Sequence, residues 1–236
     1  MAQSVERQPV SRRALVIGAS RNLGLGLVGE LVDRGWDVTG TVRGTGRTGL
    51  HKLADARPER VHIETADITV PADLARLRES LEPAPLDLLF VNAGITDPDL
   101  PIRDVVSDVF TRVMLTNAYA PMQVVEAFAD AVGPHGTIAV MSSRQGSIGF
   151  NTRGGNEVYR ASKSALNQLM RSYAARDESG RTLMLVHPGW VQTELGGEGA
   201  PLTVAESVPG IVDTLERHAG EPGLVFRDYR DQVVPW

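Results

Sequence analysis

The sequence predicts one α/β domain, built as a doubly wound parallel sheet with helices on both faces, and three observations carry that expectation. Continuous apolar runs that stop at glycines alternate along the chain with stretches of helical periodicity. Strands separated by helices of this length cannot be joined by hairpins, so the strands must run mainly parallel. Between the first run and the first helical stretch lies GASRNLGLG, Gly18 to Gly26, a glycine-rich turn of the kind that joins a strand to a helix N-terminus.

The elements follow in order. Ala14 to Gly18 (ALVIG) reads as a strand buried on both faces. Leu23, Leu27, Leu31 and Val32 then recur at helical spacing until Asp33-Arg34-Gly35 stops the helix. WDVTGTV is the second strand, VHIE the third, and PADLARLRESL a helix with proline in its first turn. LDLLFVNAG is a strongly buried fourth strand. A long helical stretch is expected from about Val105 to Val132, then the strand TIAVMSS, a helix from about Asn156 to Arg176 and the strand TLMLVHPG. A helix over 203 to 218 and the short strand GLVF close the pattern. Segments 43 to 49, 144 to 158 and 194 to 202 are expected as loops beyond the carboxyl ends of strands, where such sheets bind ligands.

Composition narrows the function. The 236 residues, 42% of them hydrophobic, suffice for one substantial core, assigned to residues 13 to 236 behind a flexible arm of residues 1 to 12. A formal charge of −5 argues against a nucleic-acid partner. No run of apolar residues is long enough for a membrane span, so a soluble cytoplasmic protein is expected. The chain has no cysteine, and its histidines at 51, 62, 135, 187 and 218 lack ligand spacing, so no metal site is expected. His187, before Pro188, reads as strand-end packing. Glu194 and Glu198 read as a solvated loop face. Trp190 is open to two readings, pocket wall or core packing.

Two features carry chemistry. In the glycine-rich turn, Gly18 permits a sharp exit from the strand, and Gly24 and Gly26 are expected to let the helix approach ligand and sheet. Backbone N–H groups and the positive end of the helix dipole then make a seat for a pyrophosphate. Asn22 stands where the commonest form of this turn has glycine, and asparagine is among the few residues that tolerate the left-handed region. Arg43, at the end of the second strand where an acid would favour a free ribose hydroxyl, favours a 2′-phosphate instead, with Arg21 as a second cation. That choice selects NADP(H) over NAD. The second feature is VYRASKSAL, which puts Tyr159 and Lys163 four residues apart on one helix face. An ammonium beside a phenol can lower its ionisation toward neutral pH, which makes the pair an acid/base device.

These motifs, taken in order, resemble the short-chain dehydrogenase/reductase family over nearly the whole chain. The matching pieces are GASRNLGLG, Asp67-Ile68, the NAG of Asn92, Ala93 and Gly94, Asn117, Ser142-Ser143, YRASK and HPGWVQT. YRASKSALN, HPGWVQTELGG and the final PW are similar to the C-factor and sniffer-type branch. The resemblance implies a Rossmann-type NADP-binding fold and a carbonyl reductase or alcohol dehydrogenase with pro-S type hydride transfer. It implies Tyr159 as acid/base, Lys163 as its tuner and a ribose ligand, Ser143 on the substrate oxygen, and Asn117 holding a water that links Lys163 to solvent. It further implies cofactor contacts from Gly18, Ser20, Arg21, Asn22, Leu23, Asp67, Ile68, Asn92, Ala93, Gly94, Pro188, Gly189, Val191 and Thr193. Asp67 would meet the adenine and Thr193 the carboxamide.

Ser143 and Tyr159 are 16 positions apart, about three more than is common in the family, so the loop between them is expected to be enlarged. A small-molecule carbonyl or alcohol is the expected partner, and a homodimer or homotetramer through the long helices the expected assembly. Two other readings stay open: a dinucleotide-sensing or signalling protein with incidental turnover, and an oligomerisation module.

Overall fold

β1 (Arg13–Ile17) is an inner strand, third in a seven-stranded sheet. Its alanine, leucine, valine and isoleucine are buried, as an inner strand of a sheet covered on both faces requires. The computed structural model describes residues 11–81 and 83–236, so most of the expected arm, residues 1–10, lies outside the described residues. Of the remainder, Ser11 donates to the Gly35 carbonyl at 3.1 Å and the Arg12 guanidinium sits 4.2 Å above the Trp36 ring.

The strands are β2 (Asp37–Val42), β3 (Val61–Thr65), β4 (Leu86–Val91), β5 (Val132–Met141), β6 (Thr182–His187) and β7 (Gly223–Asp228). Their order is β3-β2-β1-β4-β5-β6-β7, and every pairing within it is parallel. The helices are α1 (Asn22–Asp33), α2 (Gly49–Ala56), α3 (Pro71–Ser80), α4 (Ser107–Met114), α5 (Ala120–Phe128), α6 (Glu157–Ala174) and α7 (Val204–His218). One buried cluster, around Leu15, Leu89, Phe128 and Leu166, joins the sheet to α3, α5 and α6. A second, around Val16, Leu27, Phe90 and Ile211, joins the opposite face to α1 and α7. Along β1, β5 and β6 alternate residues therefore feed opposite cores, which is the period-2 rule applied to a two-sided sheet.

Three elements differ from the sequence expectation. α2 begins where a loop was expected, opened by a capping box in which Thr48 and His51 satisfy each other's backbone N–H. β5 starts at Val132 rather than Thr137, because the register shifts between Leu86 and Leu88 and Gly133–Gly136 bulge out of the ladder. The expected single helix of 105 to 132 is divided. A π-helical turn, Leu115–Tyr119, separates α4 from α5, and Pro121, which has no N–H to donate, lies two residues beyond it. Among the described residues no helix is long and apolar enough to cross a membrane.

The turn after β1 answers the question posed by Asn22. Its φ is 50°, so asparagine does occupy the left-handed region at the first residue of α1. Gly24 is required by close approach, since a Cβ there would fall 2.0 Å from the Gly18 carbonyl oxygen. Gly26 serves a different contact from the one expected. A Cβ on it would meet Val204 and Val208, so it allows α1 to pack on α7 rather than on ligand or sheet.

Candidate active site

The carboxyl ends of β1, β2, β3 and β4 open onto a cleft of about 400 Å³. Its lining includes Gly18, Ser20, Arg21, Asn22, Leu23, Arg43, Asp67, Ile68, Asn92, Ala93, Gly94 and Thr193, so twelve residues singled out from the sequence meet in one place. The floor is built by long-range hydrogen bonds. Thr41 Oγ1 accepts from the Gly18 N–H at 2.9 Å, the Ala19 N–H donates to the Thr41 carbonyl at 2.8 Å, and Asn92 Nδ2 donates to the Gly18 carbonyl at 2.8 Å. At the mouth, α1 has no side-chain cap and no acid in its first turn. Its first N–H groups are thus left to an outside acceptor, and the dipole favours an anion there.

The charges at the rim are paired. Arg21 forms a 3.0 Å ion pair with Glu194 across the mouth, between the phosphate-type turn and the loop after β6. Glu194 is therefore a solvated loop residue, as expected, that also forms part of the rim. Arg43 lies 3.9 Å from Asp67, and its side chain is 73% exposed. Asp67 is itself braced, accepting from the N–H and hydroxyl of Thr69 at 2.9 and 2.6 Å.

A second group of side chains stands behind the cleft, where the sequence placed the reacting constellation. Ser142 and Ser143, neighbours just past β5, part company as strand alternation demands. Ser142 donates to Asn167 at 2.6 Å inside the core, whereas Ser143 and Tyr159 share a side-chain hydrogen bond. Lys163, one helical turn beyond Tyr159 on α6, donates from Nζ to the Met141 carbonyl at 2.9 Å. Asn117 projects from the π-helical turn and clamps Ile95, accepting from its N–H and donating to its carbonyl, each at 2.8 Å. Its Nδ2 also reaches Ser162 Oγ at 3.0 Å. A Cβ built on Gly94 would lie 3.4 Å from Asn117 Oδ1 and 3.6 Å from Lys163 Nζ. These are ordinary contact distances, so Gly94 sets the cleft edge beside the amide and the ammonium.

Burial sets the protonation states. The Tyr159 phenol is pushed up to about 12 by burial, with the Ser143 hydrogen bond acting in the opposite sense. Burial pulls Lys163 down to about 8. At neutral pH the phenol therefore carries its proton while the lysine is still mainly an ammonium. His187, half-buried but with its Nδ1 atom buried and unpartnered, is pulled down to about 4, first by burial and then by Arg144, while Asp228 acts against both. It is neutral, in keeping with a packing role.

Not every expected residue lines the cleft. Tyr159, Lys163, Ser143 and Asn117 lie behind it, and Pro188, Gly189 and Val191 lie outside its lining. The Pro188 carbonyl is turned to α7, where it accepts from Ser207 at 2.6 Å. Trp190 is 59% exposed and donates from Nε1 to the Gly196 carbonyl at 2.7 Å, so it is not a core residue. Sequence reasoning passed over Thr41, Thr96, Thr116 and Leu195, all of which line the cleft. Of these only Leu195 lay in a segment marked as a ligand-side loop. Among the described residues there is no cluster of three or more His, Asp or Glu side chains able to hold a metal.

With this geometry in view, the comparisons are specific. The model of the short chain dehydrogenase family matches residues 12–201. The C-signal protein of Myxococcus xanthus is 37% identical over 156 residues, covering 64% of this chain and 93% of that protein. Among solved structures, a Burkholderia multivorans protein described as a short-chain dehydrogenase/reductase with bound NADP superposes with a TM-score of 0.93 at 50% identity, covering 96% of this chain and all (100%) of the other. A carbonyl reductase from Pseudomonas aeruginosa in complex with NADP gives a TM-score of 0.89 at 38% identity, over 96% and 100% of the two chains. The carbonyl reductase Sniffer of D. melanogaster gives 0.85 at 30% identity, over 96% and 100%.

Proposed function

The chain belongs to the short-chain dehydrogenase family, and on that premise we propose that it is an NADP(H)-dependent carbonyl reductase or alcohol dehydrogenase, with residues 13 to 236 acting as a single catalytic domain. The observation that carries this reading is the convergence of Ser143, Tyr159 and Lys163 behind a cleft whose edge, at Gly94, lies beside Asn117 and Lys163.

The cleft fits a dinucleotide on its own chemistry. The uncapped start of α1 and the left-handed Asn22 offer N–H groups to a diphosphate, and the Gly24 approach leaves no side chain in the way. Arg43, with Arg21, would receive a ribose phosphate, each exchanging a carboxylate partner for a doubly charged one. Thr193 and Asn92 would line the nicotinamide half. When bound, the cofactor supplies or accepts the hydride.

The chain's own residues handle the proton. Ser143 holds the carbonyl oxygen and stabilises the charge that grows there. The Tyr159 hydroxyl, protonated at neutral pH, gives its proton to that oxygen during reduction and takes one from the alcohol in the reverse direction. The Lys163 ammonium stabilises the phenolate left behind. Asn117, locked onto Ile95, fixes the π-helical turn beside Lys163 and is the residue from which a proton path toward solvent would start.

Assembly as a homodimer or homotetramer through the long helices is part of the reading. It is supported by Val106, Phe110, Leu115 and Tyr119, which stand exposed along α4 and the π-helical turn. The outer edge of β7, by contrast, is covered by the chain itself, since the Val234 N–H donates to Phe226 at 3.0 Å.

The experiment is to mix the protein with NADPH and a panel of aldehydes and ketones and follow the nicotinamide absorbance. Turnover is expected in the wild type. Tight NADPH binding without turnover in both wild type and Tyr159→Phe would favour a sensor instead.

A further inference from the structure

The enlarged loop between Ser143 and Tyr159 ends in an unusual run of backbone. Gly154, Gly155 and Asn156, the three residues before α6, have φ of 69°, 73° and 48°. Gly154 and Gly155 take positive φ without steric cost, whereas Asn156, a non-glycine in the left-handed region, is held there by a constraint from outside the turn. Here the constraint comes from the loop after β4. Asp99 Oδ1 accepts the N–H of Asn156. Glu157 answers from the other side, its Oε2 accepting the N–H of Ile102 at 2.8 Å. A Cβ on Gly155 would lie 3.3 Å from Asp99 Oδ2, so the glycine is what lets the carboxylate lie against this backbone. Arg160 closes the turn by donating from Nε to the Gly155 carbonyl at 2.8 Å.

The two carboxylates thus stitch the β4 loop to the first turn of α6 by crossed bonds, each side chain taking a backbone N–H from the other segment. Both lie at the positive end of the α6 dipole, which adds to the attraction. Tyr159 follows Glu157 by two residues, in the same turn. Lys163 is anchored separately, by its bond to the β5 carbonyl of Met141. The placement of the phenol relative to the ammonium and to Ser143 therefore depends on how the first turn of α6 is held.

We propose that Asp99 and Glu157 are positioning residues for Tyr159: through the paired bonds Asp99 to Asn156 and Glu157 to Ile102 they fix the start of α6 and hence where the phenol sits. The proposal rests on the reading of Tyr159 as the acid/base. Neither carboxylate is asked to touch substrate or cofactor.

The test uses the full chain and the variants Asp99→Ala, Glu157→Ala, Asp99→Asn and Glu157→Gln, with two readouts. One is kcat and KM for carbonyl reduction by NADPH. The other is ionisation of the Tyr159 phenol, followed by ultraviolet difference absorbance against Tyr159→Phe in the same background. A misplaced reacting group costs on the order of tenfold to a hundredfold in rate, so the alanine variants should lose about that much kcat with KM for NADPH unchanged. Their phenol should also titrate lower than the wild type, moving from about 12 toward the ordinary 10 as the turn loosens and admits water. The Asn and Gln variants keep an oxygen acceptor and should restore both values. A phenol titration unmoved in the alanine variants, or Asn and Gln variants as impaired as alanine, overturns the proposal. Absence of turnover in the wild type would strike the functional reading alone, and the phenol titration would still decide this one.

Discussion

Lys163 Nζ stands 5.9 Å from the centre of the Tyr159 ring while it donates to the Met141 carbonyl. The ammonium is therefore held by strand β5 and acts on the phenol through space. In the proposed mechanism its positive charge stabilises the phenolate left after proton transfer. Burial has pulled this lysine down to about 8, so that contribution is present below that pH and lost above it. kcat for reduction is expected to fall as pH rises through about 8, and Lys163→Met should lack that limb. A pH profile that stays level across this range in the wild type would contradict the assignment.

The proposed preference for NADP(H) rests on a side chain with little else to do. Arg43 is exposed and only loosely paired with Asp67. Charge-assisted contacts from guanidinium to phosphate contribute about 1.5–3 kcal/mol, so Arg43→Asp should weaken NADPH binding by roughly tenfold to a hundredfold. NADH binding should change far less. Equal losses for the two nucleotides, measured by titration, would defeat the preference for NADP(H).

The Gly24 site is a steric prediction. A methyl group there would lie 2.0 Å from the Gly18 carbonyl oxygen and 2.7 Å from Asn92 Nδ2. Gly24→Ala should therefore displace the turn and abolish dinucleotide binding. Gly29 in the same helix has nothing within 4 Å of such a Cβ. Gly29→Ala should bind normally and unfold at higher temperature, gaining about 0.5–1 kcal/mol. Comparable binding by the two variants would show that the turn tolerates a Cβ after all.

How much of this was legible beforehand follows from the range of the interactions. β1, β4, β6 and α6 announce themselves because apolar runs and helical spacing are local patterns, and Tyr159 and Lys163 come with α6. The left-handed Asn22 was readable because the constraint lies within its own residue. Thr41 was not, since its hydroxyl matters only through a Gly18 N–H that the fold brings to it. Gly26 was misread for the same reason, its true neighbours being Val204 and Val208 on a helix far along the chain. α2 stayed hidden because Leu50 is its only buried residue and its capping box uses histidine where glutamate or glutamine is the usual signal.

His187 makes acid stability measurable. Its folded value of about 4 lies below the ordinary 6.5, so the unfolded chain binds more protons between those values. The sign is then fixed: the contribution is complete above about 6.5 and disappears as pH falls toward about 4. The full shift corresponds to at most about 3 kcal/mol. Urea unfolding should show a loss of stability over this range that is smaller in His187→Leu than in the wild type. Identical pH dependence in both proteins would remove His187 as the cause.

In the proposed reaction the Tyr159 hydroxyl carries the proton to the carbonyl oxygen. The most direct measurement is the kcat ratio of wild type to Tyr159→Phe, taken with NADPH saturating and its binding measured separately. Acid/base groups contribute about 10²–10⁴ in rate, so a loss in that range with NADPH affinity unchanged is the expected result. A Tyr159→Phe protein that reduces the same carbonyl at a rate close to wild type would contradict the account.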